Sequence, residues 1–209
     1  YLKFGIYKEF TKSLFMKVKK IKEEVAGGIG EFSDSELEQG ITETLEEIRV
    51  SWEKDKNAVS KSHIFGLAPK LKTLISQDLN ILAWSPDGAK ILYIATKSAN
   101  LPLIINPRLI GANSTPEERV LNKDSIYVYD IKEDRNYKIL DSLASFPYSL
   151  EGDLPIKWFT DSKHLIHVND KKIYIMEYDG QNKTTIYAGP FIDDYVFAWP
   201  DGSKLVMLT

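Results

Sequence analysis

The sequence predicts a mainly β protein built from repeated four-stranded units and preceded by an α-helical hairpin. Two observations support this fold class. Apolar residues recur at helical spacing up to about residue 60, and alternate with polar residues in short runs after it. A tryptophan, a turn containing Asp and an apolar run then occur together three times. We therefore expect a helical segment at 1–60 and a β domain at 61–209.

The helical segment contains two amphipathic stretches, predicted as helices over 6–26 and 34–54. Gly27 and Gly28 end the first stretch, and Ser33 with Glu36 forms a capping box for the second. Each stretch carries one apolar stripe, which begins at Ile6 in the first. A hairpin packed on its own chain is the simplest interpretation.

The three repeated turns read AWSPDGAKILYIA from residue 83, KWFTDSKHLIHVN from 157 and AWPDGSKLVMLT from 198. In each, the tryptophan is predicted to close one strand and the Asp to bond back to the backbone. A residue that accepts positive φ then makes the turn. The residues of this motif are Trp84, Asp87, Gly88, Trp158, Asp161, Trp199, Asp201 and Gly202.

A second half of the unit also repeats. IYVYDIKEDRNYKIL from residue 126 aligns without gaps on IYIMEYDGQNKTTIY from 173, and each predicts two strands around a polar turn. The full unit therefore has four strands. We expect full units at 79–142 and 153–188, a half unit at 192–209, and a fainter half unit at 63–76.

Trp158 and Trp199 are 41 residues apart, which is the length of one β-propeller blade. Over residues 62–209, with its WSPDG-type turns, the chain resembles the TolB-type or WD-repeat-like β-propellers. That resemblance implies a partial propeller of about three blades, and a location outside the cytoplasm at the cell envelope. Closed propellers need four to eight blades. The chain is therefore interpreted as a fragment, as one of several copies that complete each other, or as an open arc.

The segment 97–123 is an insertion between the second and third strands of one unit. Its prolines argue against regular structure, yet it is too apolar for a solvated loop. Two alternatives stay open: it packs on its own chain, or it forms a lip that binds a partner. The candidate binding residues are Leu103, Ile104, Arg108, Leu109, Ile110, Glu117 and Arg119.

The sequence contains no recognisable catalytic constellation. The chain has no cysteine, and His164 and His167 are three apart on a predicted strand, so their side chains point to opposite faces. We therefore predict no catalytic residue, no metal and no cofactor. A net charge of −3 gives no argument for nucleic acid, and no apolar run is long enough to span a membrane.

These observations favour a non-catalytic propeller that binds a protein or acts as a scaffold. Self-association that completes the propeller is a further possibility. The alternative is the gating propeller of a prolyl-oligopeptidase-like hydrolase. Such an enzyme carries its nucleophile on a separate α/β-hydrolase domain, and no G-x-S-x-G motif for one occurs in these residues.

Overall fold

The structure is a computed structural model that describes residues 47, 50, 51, 54, 55, 57–110, 113–141, 155–192 and 196–208. The chain divides into two compact units, Tyr1–Ser62 and His63–Thr209. The two predicted N-terminal helices lie outside the described residues, apart from positions 47, 50, 51 and 54, which are helical. No helix within the described ranges is long and apolar enough to cross a membrane.

The described part of the chain is mainly β, with antiparallel sheets that follow two helices. Helix α1 includes residues 57–65, and helix α2 spans Pro69–Asp78. The predicted half unit at 63–76 is therefore wrong. Pro69 lies in the first turn, where its fixed φ suits a helix. Leu71 and Ile75 are four residues apart and both buried, so the apolar residues follow the helical period.

The strands form two four-stranded antiparallel sheets, one separate hairpin and one short pair. The strands β1 to β12 are, in chain order, Leu79–Trp84, Lys90–Ala95, Ala99–Asn100, Val120–Leu121, Ile126–Asp130, Arg135–Leu140, Ile156–Trp158, His164–Asn169, Lys172–Glu177, Thr184–Ala188, Val196–Ala198 and Leu205–Met207. The first sheet has the order β1-β2-β5-β6 and the second β7-β8-β9-β10. The separate hairpin is β11–β12, and the short pair is β3–β4.

The two sheets have the same internal arrangement. Trp84 is the last residue of β1 and pairs with Ile91, and Trp158 is the last residue of β7 and pairs with Leu165. In both sheets the strands are ordered as in the sequence, apart from the short pair β3–β4 inside the insertion. The prediction of two four-stranded sheets with equivalent tryptophans is therefore confirmed.

The three turns that follow the first strands share one backbone geometry. Gly88, Ser162 and Gly202 have φ values of 72°, 61° and 74°. Glycine adopts this left-handed region without steric cost, and Ser162 adopts it although it has a side chain. The motif Asp of each turn accepts a backbone N–H two residues further on, at 2.8–3.0 Å, and these pairs are Asp87–Ala89, Asp161–Lys163 and Asp201–Ser203.

Trp199 does not close its strand, which corrects the sequence prediction. Strand β11 ends at Ala198, and the Trp199 amide donates 2.8 Å to the carbonyl of Lys204 across the turn. Phe159 makes the same bond to His164, so Trp199 is equivalent to Phe159 and Ala198 to Trp158. The third turn has one residue fewer between its tryptophan and its Asp, which moves the tryptophan one position along the chain.

Three apolar cores alternate with the sheets. The first core lies between the first sheet and a cover made of helix and insertion residues, including Leu71 and Leu121. The second core joins the first and second sheets, with Leu92 and Trp158 among its members. The third joins the second sheet to the β11–β12 hairpin. Along β2 and β8, neighbouring side chains therefore enter two different cores, as expected for a sheet buried on both faces.

Successive turns are in direct contact. The Asp87 amide of the first turn donates 3.0 Å to Ser162 Oγ of the second. A Cβ on Gly202 of the third turn would lie 2.8 Å from Thr160 Oγ1 of the second. These contacts align the same end of the first strands from one sheet to the next.

The buried His167 of β8 makes stability depend on pH. Burial, and to a lesser extent the charge of Lys183, lowers the pKa of His167 to about 4, from 6.5. As the pH falls from 6.5 towards 4, the unfolded chain binds a proton there before the folded chain does. The free energy of unfolding should therefore fall by about 3 kcal/mol across this window.

Urea denaturation of the wild type and of His167→Met at several pH values tests this prediction. Methionine is the matched replacement, because Met207 occupies the equivalent position in the β11–β12 hairpin. The variant should lose this part of the pH dependence. An identical slope in both proteins between pH 6.5 and 4 would contradict the assignment.

Candidate functional site

The insertion at 97–123 is part of the core at both of its ends. Its first and last described strands, β3 and β4, pair with each other, and the Leu101 amide donates 2.9 Å to the Arg119 carbonyl. Leu101 and Leu121 are buried in the first core, and Ile104 packs against it. Deleting the insertion would therefore uncover part of one face of the first sheet.

Asp134, in the turn between β5 and β6, anchors the middle of the insertion. Its Oδ2 accepts the backbone amides of Ile104 and Ile105 at 2.7 and 2.8 Å. Its Oδ1 accepts the Tyr129 hydroxyl and the Arg119 guanidinium, both at 2.8 Å. Asp134 is buried and has a φ of 51°, so four hydrogen bonds hold an uncommon backbone conformation in place.

Arg119, in the last part of the insertion, bonds both to the first part of the insertion and to Asp134. Its guanidinium donates to Asp134 and Glu117, and also to the carbonyls of Leu101, Pro102 and Asp134. Burial opposes the ionisation of Asp134, but the hydrogen bonds from Arg119, Tyr129 and the two amides outweigh it and lower the pKa of that carboxyl. The site therefore holds a permanently paired carboxylate and guanidinium at neutral pH.

A second set of polar contacts joins Glu118, in the last part of the insertion, to strand β6. The Glu118 amide donates 2.8 Å to the Asn136 carbonyl, and Asn136 Nδ2 donates 2.6 Å to the Glu118 carbonyl. The Tyr93 hydroxyl donates 2.8 Å to Asn136 Oδ1 from inside the sheet. Because Asn136 is fully buried, these hydrogen bonds fix the backbone of the insertion at Glu118 to the first sheet.

The far part of the insertion reaches the second sheet. Asn113 Nδ2 and Thr115 Oγ1 both donate to Asp179 Oδ2, at 2.8 and 2.7 Å. Asp179 lies in the turn between β9 and β10 and is buried. The Asn113 amide also donates 3.0 Å to Glu133 in the β5–β6 turn. The insertion therefore bridges the outer turns of the two sheets.

Between these anchors the insertion exposes aliphatic side chains. Ile110 is fully exposed, and Leu103 and Leu109 are each about half exposed. Arg108, beside them, forms an ion pair with Glu117 and keeps 40% of its side chain in solvent. We call the segment 103–110 the tip. It combines apolar area with an adjacent charged pair on a loop that is fixed at both ends.

The structure thus divides the seven predicted binding residues into two groups. Ile104, Glu117 and Arg119 make interior contacts that hold the insertion. Leu103, Arg108, Leu109 and Ile110 remain at the surface of the tip. The eight motif residues lie elsewhere, at the ends of the first strands and in the turns that follow them. Trp84 and Trp158 pack in the apolar cores, and the motif Asp residues accept backbone N–H bonds in the turns.

The histidines have structural surroundings. His63 packs edge-to-face on Trp84 with 4.7 Å between ring centres, and its ring fills the space beside Gly88. His164 Nδ1 lies 2.6 Å from Asp161 Oδ2 at the surface, and His167 is buried on the same strand. Across the described ranges, no three His, Cys, Asp or Glu side chains form a group that could hold a metal ion.

Sequence reasoning misses the role of Asp134, Asn113 and Asp179. Asp134 is one polar residue among several in the turn KEDRN, and its partner Arg119 is fifteen residues earlier in the chain. A local pattern carries no signal for a pair that only the fold of the insertion brings together. The positive φ of Asp134 also follows from no sequence rule beyond the tolerance of Asp for this region.

No protein-family model matches the chain, and no curated protein matches it either. The resemblance to TolB-type propellers therefore rests on the turn motif and the repeat alone.

The anchoring pair gives a direct stability prediction. Arg119→Met leaves the Asp134 carboxylate buried without its cationic partner, which should lower the free energy of unfolding by about 3–5 kcal/mol. Arg108→Met is the matched control, because Arg108 pairs with the same Glu117 but is 40% exposed, and it should cost less than about 1 kcal/mol. Urea denaturation at pH 7 measures both. Equal losses for the two variants would show that Arg119 is no internal anchor.

Proposed function

We propose that this protein is a non-catalytic scaffold of stacked propeller-type sheets that binds another protein through the tip of its insertion. The observation that carries the proposal is the contrast within the insertion. Its ends and middle are fixed by buried contacts, while Leu103, Leu109 and Ile110 are exposed. Exposed aliphatic area on a rigid support is costly in water and is typical of a binding surface.

The arrangement of the sheets supports a partial propeller as the scaffold. Each sheet faces the next across an apolar core, and the first strands β1 and β7 are in contact. The tandem turns also follow one another at the same end of these strands. Radial stacking of four-stranded sheets around their first strands is the arrangement of propeller blades.

The charged Arg108 of the tip supports a protein partner. Its guanidinium is partly exposed and offers hydrogen-bond donors next to apolar side chains, which is the composition of a protein interface. A rigid loop also binds without the entropic cost of ordering itself. The partner should therefore present an apolar depression with polar groups at its border.

The proposal that the protein is not an enzyme is supported by the structural hydrogen bonds that its carboxylates make. The motif Asp side chains accept backbone N–H bonds in their turns, and Asp134 and Asp179 hold the insertion. Each of these carboxylates therefore has a structural use. The envelope location implied by the resemblance stays a prediction.

The tip can be tested by substitution and affinity capture. Leu109→Ser combined with Ile110→Ser removes apolar area from exposed positions, so the melting temperature should stay unchanged. Immobilised wild-type protein and this double variant are incubated with an extract of the source cells, and retained proteins are quantified by mass spectrometry. We expect at least one protein to be depleted about tenfold or more on the variant, equivalent to about 1.4 kcal/mol.

Val120→Ser is the matched control, because Val120 is an exposed aliphatic residue of the insertion that lies outside the tip. The control should retain the same proteins as the wild type. A retention profile that is identical for all three proteins would contradict binding through the tip.

A further inference from the structure

The β11–β12 hairpin repeats the start of the second sheet residue by residue. Residues 198–209 align without gaps on 158–169, at an offset of 40. The hydrogen bond that closes each turn obeys the same offset, from Phe159 to His164 and from Trp199 to Lys204. A side chain on the hairpin therefore has a defined counterpart on the second sheet, on the same face.

On one face, the counterparts differ in burial: those on the second sheet are buried and those on the hairpin are exposed. Ile166 and Val168 of β8 are buried in the third core, at 1% and 3% exposure, and Phe159 packs beside them. Their equivalents Val206, Leu208 and Trp199 are 40%, 49% and 51% exposed. The hairpin covers the first group, and no described residue forms a core over the second group.

The same face of the first sheet follows the same rule. Leu92 of β2 is equivalent to Ile166 and Val206, and it is fully buried in the core between the two sheets. At both internal junctions, the cover of this face is therefore the next sheet of the repeat. The opposite face of the first sheet has a different cover, the helix and insertion residues of the first core.

We propose that the open face of the hairpin, formed by Trp199, Val206 and Leu208, is the docking surface for a further sheet of this repeat joined in tandem to β12. The array is then capped at its first sheet and extends only from the hairpin. A second copy of the chain offers no matching face at its first sheet, because helix α2 and the insertion already cover it. This inference does not depend on the tip.

The contacts between turns also define which residue the incoming turn must carry. The residue after each motif Asp has a left-handed φ, 72° at Gly88, 61° at Ser162 and 74° at Gly202. In the third turn this residue also lies against the second turn, since a Cβ on Gly202 would lie 2.8 Å from Thr160 Oγ1. The turn that docks against the hairpin should therefore carry glycine at this position.

The chain itself supplies a test sheet. Because Thr209 is equivalent to Asn169, a second copy of residues 170–209 placed directly after Thr209 continues the repeat in register. The copy provides the third and fourth strands that the hairpin lacks, followed by a new hairpin whose Gly202 turn meets Trp199. The chain has no cysteine, so Val206→Cys in the original hairpin gives a single thiol on the open face.

The labelling rate of this introduced thiol is compared in the original and the extended chain. We expect the extension to slow labelling about tenfold or more, because a docked sheet excludes the reagent. Gly202→Val within the appended copy should restore fast labelling, since a β-branched residue strains this left-handed turn. Ser203→Ala in that copy is the matched control and should keep the protection. A thiol introduced instead at exposed position 120 should react equally in both chains.

Unchanged labelling of the thiol at position 206 in the extended chain would overturn the proposal. Protection of that thiol in the original chain that disappears on dilution would also overturn it, because a second copy would then cover the face. A shorter extension, residues 170–190, guards against failure of the longer one to fold. It adds only the two missing strands and should slow amide exchange in β12. Unchanged amide exchange in β12 would show that the hairpin does not continue the repeat, and the proposal would be wrong.

Discussion

Each four-stranded sheet of this protein is apolar on both faces, and this constraint governs the rest of the structure. Leu92 and Tyr93 are neighbours on β2, and both are buried, in two different cores. A sheet of this kind cannot lie on the surface, because either face would expose a layer of large side chains. It must be placed between two covers, and the chain supplies them in order.

The covers differ in kind, and this difference explains the insertion. Between the sheets, the next unit of the repeat provides the cover, and contacts between turns set its position. On the first sheet, helix α2 and the ends of the insertion provide it. An irregular segment can act as a cover only if its backbone polar groups are satisfied. Arg119, Asp134 and Asn136 satisfy many of them. The side chains of Leu103, Leu109 and Ile110 stay exposed on the tip and cover no part of the sheet.

The sequence predicts what is local and periodic. The strands, their turns and the equivalence of Trp84 and Trp158 follow from alternation and turn chemistry, which act over a few residues. The strands predicted over helix α2 are wrong because a short apolar run fits both periods. Aligning the tryptophans with one another misses the shift of Trp199. Aligning the Asp of each turn instead places Trp199 opposite Phe159, and the hydrogen bond across the turn confirms it. The Arg119–Asp134 pair depends on the path of the insertion, which no local preference determines.

Native-state hydrogen exchange tests the central claim, that each sheet is stable because both of its faces are covered. The strands β2, β8 and β12 occupy equivalent positions but differ in cover: two faces for β2 and β8, one for β12. We predict that β2 and β8 amides exchange only through global unfolding, while β12 amides exchange through local opening at much lower free energy. Exchange of β2 as fast as that of β12 would contradict the account, because the helix and insertion would then not cover the first sheet.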